Sequence, residues 1–363
     1  MAALGSDINR RAQAAGRRGE TMKVASLPRP GACEIITKPM PVIKRDYVLV
    51  RIVVAPMCNE YIAYQSWDFR DRNRPDSLGH EAAGEVVEAP SSSGFRAGDR
   101  VVALCGYPCH RCLMCRSGRY AHCASTENPL EVCGSPSGEC GFAQYMIKPE
   151  WLLLPVPAGM PYEHASMACC GLGATFTALE RMGAGTGDTV LVTGLGAVGL
   201  GAVINSVARG ARVIGAGRVP YRAALARDLG ALGVINPDAD DPARQVAELA
   251  DGPVDFAVEC SAQPSYQRLA LDALRRGGEA AFLGESGDLT MHVDRDLIQK
   301  GVTLRGSLDL YLGDAPRMLE TIALNGPLID RFITHEYPLG DIEKAWNVQM
   351  ARTCGKIIIR PWA

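Results

Sequence analysis

Four cysteines, Cys109, Cys112, Cys115 and Cys123, stand in a Cys-x2-Cys-x2-Cys-x7-Cys pattern. That spacing lets four thiolates converge on one tetrahedral zinc ion at about 2.3 Å. Four sulfur ligands close the site, leaving no position for a substrate. The metal would fix a loop, its binding energy replacing the apolar burial that this stretch lacks. Cys105, Cys133 and Cys140 lie nearby but fall outside the compact spacing.

A second motif, Gly194-Leu195-Gly196-Ala197-Val198-Gly199, follows the apolar run Thr189 to Thr193 and opens a helix-like stretch reaching Arg209. A strand before it and a helix after it give GxGxxG its meaning. The first glycine turns the chain, the second lets a pyrophosphate approach the backbone, and the third packs helix on strand. The helix N-terminus offers unpaired N–H groups to the phosphates. NAD-binding versions end the next strand with a carboxylate for the ribose 2′-hydroxyl. Here Gly217 stands there, followed by Arg218 and, one turn into the helix opened by Pro220, Arg222. Two guanidinium groups without a competing carboxylate suit a 2′-phosphate, so NADP is favoured over NAD. The alternative is an Arg218 that faces solvent.

Further candidate ligands are scattered, as in a reactive centre assembled from several loops: Cys58, the Gly79-His80-Glu81 triplet and the pair Cys169-Cys170. The elements around them change character along the chain. From Tyr47 to Arg100, short apolar runs broken by Gly, Pro and charges predict a twisted β region. The Cys-rich stretch and Pro129 to Glu139 need no regular structure. After Gly171, strands alternate with helices: Thr189–Thr193, Arg212–Gly215, Gly233–Ile235, Asp255–Glu259 and Glu279–Leu283 are the strands. Alternation predicts a parallel sheet covered on both faces. Beyond Leu308 a helix (Ala315 to Asn325) and a last strand (Lys356 to Arg360) do not extend it.

The chain has 363 residues, 47% of them hydrophobic, and a net charge of -2. At roughly 150 residues per domain that predicts two domains. The charge balance speaks against nucleic acid as a partner, and no apolar run reaches the roughly 18 residues of a membrane span. The first 21 residues are polar and Arg-rich without an apolar core, which predicts a disordered extension rather than a secretory signal. With no such signal, thirteen cysteines point to metal binding or free thiols in a cytoplasmic setting.

The Gly79-His80-Glu81-Ala82-Ala83-Gly84 run, the Cys-rich lobe, the glycine turn and their order resemble the zinc-containing medium-chain dehydrogenase/reductase family, which includes alcohol, sorbitol and threonine dehydrogenases. The resemblance covers about residues 23 to 361. It implies an α/β fold in which a GroES-like β-barrel catalytic domain (22–171 and 309–363) carries a Rossmann doubly wound parallel-sheet domain (172–308), with the active site between them. It also implies a catalytic zinc held by Cys58, His80 and Cys170, with Glu81 beside it either supporting the ligands from behind or serving as an exchangeable ligand. Cys170 fits better than Cys169 because Gly171 follows it. Hydride would pass between an alcohol carbon and the nicotinamide, with a homodimer or homotetramer as the assembly.

Two departures matter. Familiar members follow the zinc cysteine with Ser or Thr two positions on and often His five positions on; here these are Glu60 and Ala63. Glu60 is expected to take the alcohol proton or to hold a polar substrate group. Asn59, Glu60, Tyr61, Gln65 and Trp67 predict a polar pocket, suited to a polyol, cyclitol, sugar or amino alcohol. Two other readings use the same motifs: a medium-chain reductase without catalytic metal, and a non-catalytic nucleotide-binding redox sensor. About two zinc ions per chain fit the dehydrogenase, and about one fits either alternative.

Overall fold

The computed structural model describes residues 20–66, 77–127, 140–285 and 287–363. Residues 1–19 of the expected extension, the Pro129 to Glu139 stretch, Cys133 and Trp67 lie outside them. Glu20 and Thr21, expected within the extension, join the fold: Thr21 pairs with Pro39 in an antiparallel ladder and the Glu20 carbonyl accepts a hydrogen bond from the Met40 N–H.

Among the described residues fifteen strands follow in chain order: β1 (Thr21–Arg29), β2 (Ala32–Pro39), β3 (Tyr47–Met57), β4 (Ala82–Glu88), β5 (Arg100–Ala103), β6 (Tyr145–Pro149), β7 (Leu153–Pro155), β8 (Thr189–Thr193), β9 (Arg212–Ala216), β10 (Gly233–Ile235), β11 (Val254–Glu259), β12 (Leu274–Phe282), β13 (Thr303–Gly306), β14 (Ile333–Pro338) and β15 (Lys356–Arg360). One sheet has the order β14-β15-β3-β4-β5-β7, with β6 also paired to β3. Its hub is β3, an apolar run paired antiparallel with β4, β6 and β15. The last strand of the chain therefore lies beside one of the first. Val48, Val50, Ile52, Ile357 and Trp346 fill the core beneath this sheet, where the resemblance implies a GroES-like barrel.

The other large sheet is wholly parallel, in the order β10-β9-β8-β11-β12-β13. This is the doubly wound Rossmann order, which reverses between β8 and β11. Both faces are covered, so β8 is buried at every residue, and alternate side chains enter different cores. Val190 and Val192 pack with Phe176, Leu200 and Val203. Leu191 packs with Ile214, Val246 and Leu269 on the opposite face. Three of the helices, Pro220–Asp228, Pro242–Ala250 and Pro264–Asp272, begin with proline, whose fixed φ suits a first helical position.

The expected strands of this sheet are all present, with β12 beginning five residues earlier than the expected Glu279. The sequence pattern misses β13, an edge strand whose residues are at most half-buried and include Thr303 and Arg305. After it, the helices Ala315–Leu324 and Gly326–Phe332 join the core that covers one face of the parallel sheet, and β14 and β15 return to the barrel.

Candidate active site

Three separated parts of the chain deliver four ligand atoms to one place. Cys58 directly follows β3 and is buried. His80 and Glu81 lead into β4, and the turn before them depends on Gly79. At φ 96° its backbone is left-handed, and a Cβ there would lie 2.6 Å from the Phe142 amide nitrogen. Cys170 sits between the helices Tyr162–Ser166 and Gly173–Met182. The donor atoms of Cys58, His80, Glu81 and Cys170 lie within 4.8 Å of one another, and the two sulfurs are 3.3 Å apart.

Cys169 is turned elsewhere. Its Sγ donates to the Ala103 carbonyl at 3.3 Å, and burial pushes its thiol up to about 12. Of the adjacent pair, Cys170 is the one that joins the cluster.

The surroundings shift these groups in opposite directions, and only Cys58 is driven toward its ligating form. The Cys170 thiol, aided by Lys356 and His80, holds Cys58 well below the ordinary thiol range; Cys58 in turn raises Cys170. Burial pushes Glu81 up to about 7. Lys356, wholly buried on β15, meets Glu81 Oε1 at 2.6 Å, and the Glu81 carboxylate and the two cysteines keep its ammonium charged against the cost of burial. Glu81 Oε2 has no partner among the described residues. Two sulfurs, an imidazole nitrogen and a buried carboxylate with one free oxygen are a donor set that zinc accepts.

Glu60 is committed to the protein itself. One oxygen accepts the Cys58 N–H at 2.7 Å, and the other lies 2.7 Å from His80 Nδ1. Burial alone would raise its carboxyl, but His80 outweighs that and lowers it, while Glu60 and the Cys58 sulfur raise His80 well above its ordinary value. Holding Nδ1 in this way leaves Nε2 for the metal.

The Cys-rich lobe brings Cys109, Cys112, Cys115 and Cys123 within 4.8 Å of one another. The Cys123 sulfur accepts N–H groups from Cys109 and Ser125, and the Cys112 and Cys115 sulfurs are 3.5 Å apart. The Cys115 N–H lowers Cys112 to about 6, whereas burial and its neighbours raise Cys115 to about 12. Cys105 and Cys140 are buried outside this group, Cys140 donating to the Ser77 carbonyl. Leu113 of the lobe is 76% exposed, whereas Tyr120 is buried in the main core, edge-on to Trp151.

A cleft of about 970 Å³ runs from Cys58, His80 and Cys170 past Asn59, Glu60 and Tyr61 to Gly194, Gly196, Val198 and Gly217, with Arg218 and Arg222 at its margin. Gly194 has φ 86°, and a Cβ on Gly199 would fall 1.8 Å from the Gly194 carbonyl oxygen, so the turn closes only without side chains. Ala197 is buried among the core residues, and Gly199 supports the turn from beneath rather than lining the cleft. Gln65, expected in the pocket, instead directs its amide to the Met350 sulfur. Lys356, Arg352 and Ser261 were not anticipated. Their only sequence signal is slight, a lysine opening an otherwise apolar strand and polar residues in loops.

Residues 44–158 match the alcohol dehydrogenase GroES-like domain family and residues 197–323 the zinc-binding dehydrogenase family. The chain is 30% identical to an L-threonine 3-dehydrogenase of Bacillus licheniformis, over 92% of this chain and 96% of that one. It is 28% identical to a sorbitol dehydrogenase of Bacillus subtilis, over 94% and 98%. A Burkholderia ambifaria structure described as an alcohol dehydrogenase zinc-binding domain protein superposes with a TM-score of 0.82 at 26% identity, over 94% and 99%. With two domain matches, a full-length relative at 30% identity and both cysteine clusters assembled, the chain belongs to the zinc-type medium-chain alcohol dehydrogenase family.

Proposed function

We propose that this oxidoreductase moves a hydride between a polar alcohol and NADP. The carrying observation is one cleft with the Cys58, His80, Glu81 and Cys170 cluster at one end and the glycine turn at the other. Zinc at the cluster would act as a Lewis acid on the alcohol or carbonyl oxygen, and nicotinamide would accept or supply the hydride. A second zinc in the Cys109, Cys112, Cys115 and Cys123 lobe would be structural.

The chain's own residues prepare this chemistry. Glu60 holds His80 through Nδ1, a positioning role that its contacts favour over direct acceptance of the alcohol proton. Glu81 is poised by Lys356 as an exchangeable ligand. Asn59, Glu60 and Tyr61 line the reacting end, which favours a polyol, cyclitol, sugar or amino alcohol. The relatives' names point the same way, since threonine is an amino alcohol and sorbitol a polyol. At the far end Gly217 leaves room where a carboxylate would stand, and Arg218 and Arg222 offer positive charge to a 2′-phosphate. A reductase without catalytic metal has no use for the four-donor cluster.

Among the described residues, no helix is long and apolar enough to cross a membrane. We place the enzyme in the cytoplasm as a homodimer or homotetramer, with the free edge of β13 as the surface through which the parallel sheet would continue.

The test is the near-ultraviolet absorbance of reduced nicotinamide, followed with NADP and NAD against polyols, cyclitols, sugars, amino alcohols and simple alcohols, alongside metal analysis. Two zinc ions per chain and NADP-dependent turnover of a polar alcohol are expected. One zinc per chain with no turnover would overturn the reading.

A further inference from the structure

We infer that Arg352, on the loop between the helix Ile342–Met350 and β15, is a third phosphate ligand and determines selection of the 2′-phosphorylated cofactor. The inference rests on the NADP reading and extends it to a part of the chain far from the Rossmann sheet. Arg352 lines the same cleft as Gly217, Arg218 and Arg222, and its side chain is exposed rather than packed. Arg222 ties the two segments together, its Nε donating to the Cys354 carbonyl at 3.2 Å. Three guanidinium groups, from the loop after β9, the following helix and the C-terminal loop, therefore line one cleft.

Two further observations agree. The carboxylates that line the cleft are Glu60 at the metal end and Glu285 after β12; Asp238, outside the lining, meets Arg218 at 3.3 Å, and both of these side chains are about half exposed. Arg352 also holds φ 60° at the C-terminal turn of its helix, its N–H donating to the Gln349 carbonyl, a position where glycine is the usual occupant. Packing does not account for arginine there, since the side chain is free of the core. A planar guanidinium matches phosphate geometry with paired donors, and a multiply charged phosphate near three of them is held far more strongly than a ribose hydroxyl.

The experiment is calorimetric titration of the zinc-loaded enzyme with 2′,5′-ADP and with 5′-AMP, which differ at the 2′-phosphate and need no turnover. Arg352→Asn keeps a residue that tolerates left-handed backbone, and Arg352→Lys keeps the charge. The expected result is that Arg352→Asn weakens 2′,5′-ADP about tenfold or more, leaves 5′-AMP unchanged, and that Arg352→Lys recovers part of the loss. Wild-type preference for 2′,5′-ADP with no effect of Arg352→Asn, or with equal loss for both probes, overturns the role of Arg352 and leaves the NADP reading standing. Absence of wild-type preference for 2′,5′-ADP, with Arg218→Ala equally without effect, overturns the NADP reading and the role of Arg352 with it.

Discussion

Glu81 and Lys356 form a wholly buried ion pair beside the metal cluster, where a lone charge is costly. Removing one partner of such a pair typically costs about 3–5 kcal/mol. Lys356→Met is therefore expected to lower the urea midpoint clearly at neutral pH, and Glu81→Gln in the same chain to restore most of it. The pH sign follows from the raised Glu81 value. A carboxyl raised from 4.5 toward 7 and, without Lys356, further still favours folding only while protonated. The deficit of Lys356→Met should be small near pH 5 and grow toward pH 8. For Glu60, second-sphere support of a histidine ligand sets the expectation: Glu60→Gln should weaken zinc about 10–100-fold in chelator competition. Full zinc affinity with lost turnover would instead assign Glu60 the alcohol proton. At this scale Cys58, His80 and Cys170 came through the family resemblance, with the Gly79 to Gly84 run and Gly171 as its local cues. Lys356 was not, because a single lysine at a strand start gives no hint that it meets a carboxylate 275 positions away.

Two short elements carry the proposed binding chemistry. The glycine turn admits no Cβ at Gly199, so Gly199→Ala should abolish nucleotide binding, read by loss of reduced-cofactor fluorescence enhancement, while the barrel's zinc content stays unchanged. With the lobe held by zinc as proposed, Cys112→Ser should bring the chain to about one zinc and make the Cys105 to Cys123 stretch the first site of protease cleavage. The turn Val293–Ile298 hangs on Asp296, whose carboxylate is held well below the usual range by Arg295, Arg268 and the His292 N–H. Its support is present above the ordinary carboxylate range and disappears as acid protonates it. Asp296→Asn should therefore destabilise the enzyme at neutral pH yet flatten its acid-unfolding profile. Strands of the parallel sheet were readable from the sequence because burial on both faces demands continuous apolar runs. The strand β13 was not, since an edge position relaxes that demand and permits Thr303 and Arg305.

For the whole molecule, the βα alternation sufficed for the Rossmann sheet, whereas the barrel came only through family resemblance. Its strands are short, its ladders join residues up to about 300 positions apart, and periodicity does not encode such pairings. The arginines at the cleft margin show the same limit: Arg218 and Arg222 could be read from their place after β9, but Arg352 reaches them only through folding. The pairing of Ile357 with Met57 also sets a schedule for synthesis. The parallel sheet and its covering helices can be complete while β14 and β15 are still inside the ribosome, and the barrel then lacks the two strands on one side of β3. Lys356 has not yet reached Glu81, so a metal arriving early meets ligands whose charge is not balanced. Capture of a metal at this centre would thus wait for β15, and a chain stopped at Ala351 should emerge with its lobe zinc and nucleotide turn intact but its reactive centre unmade.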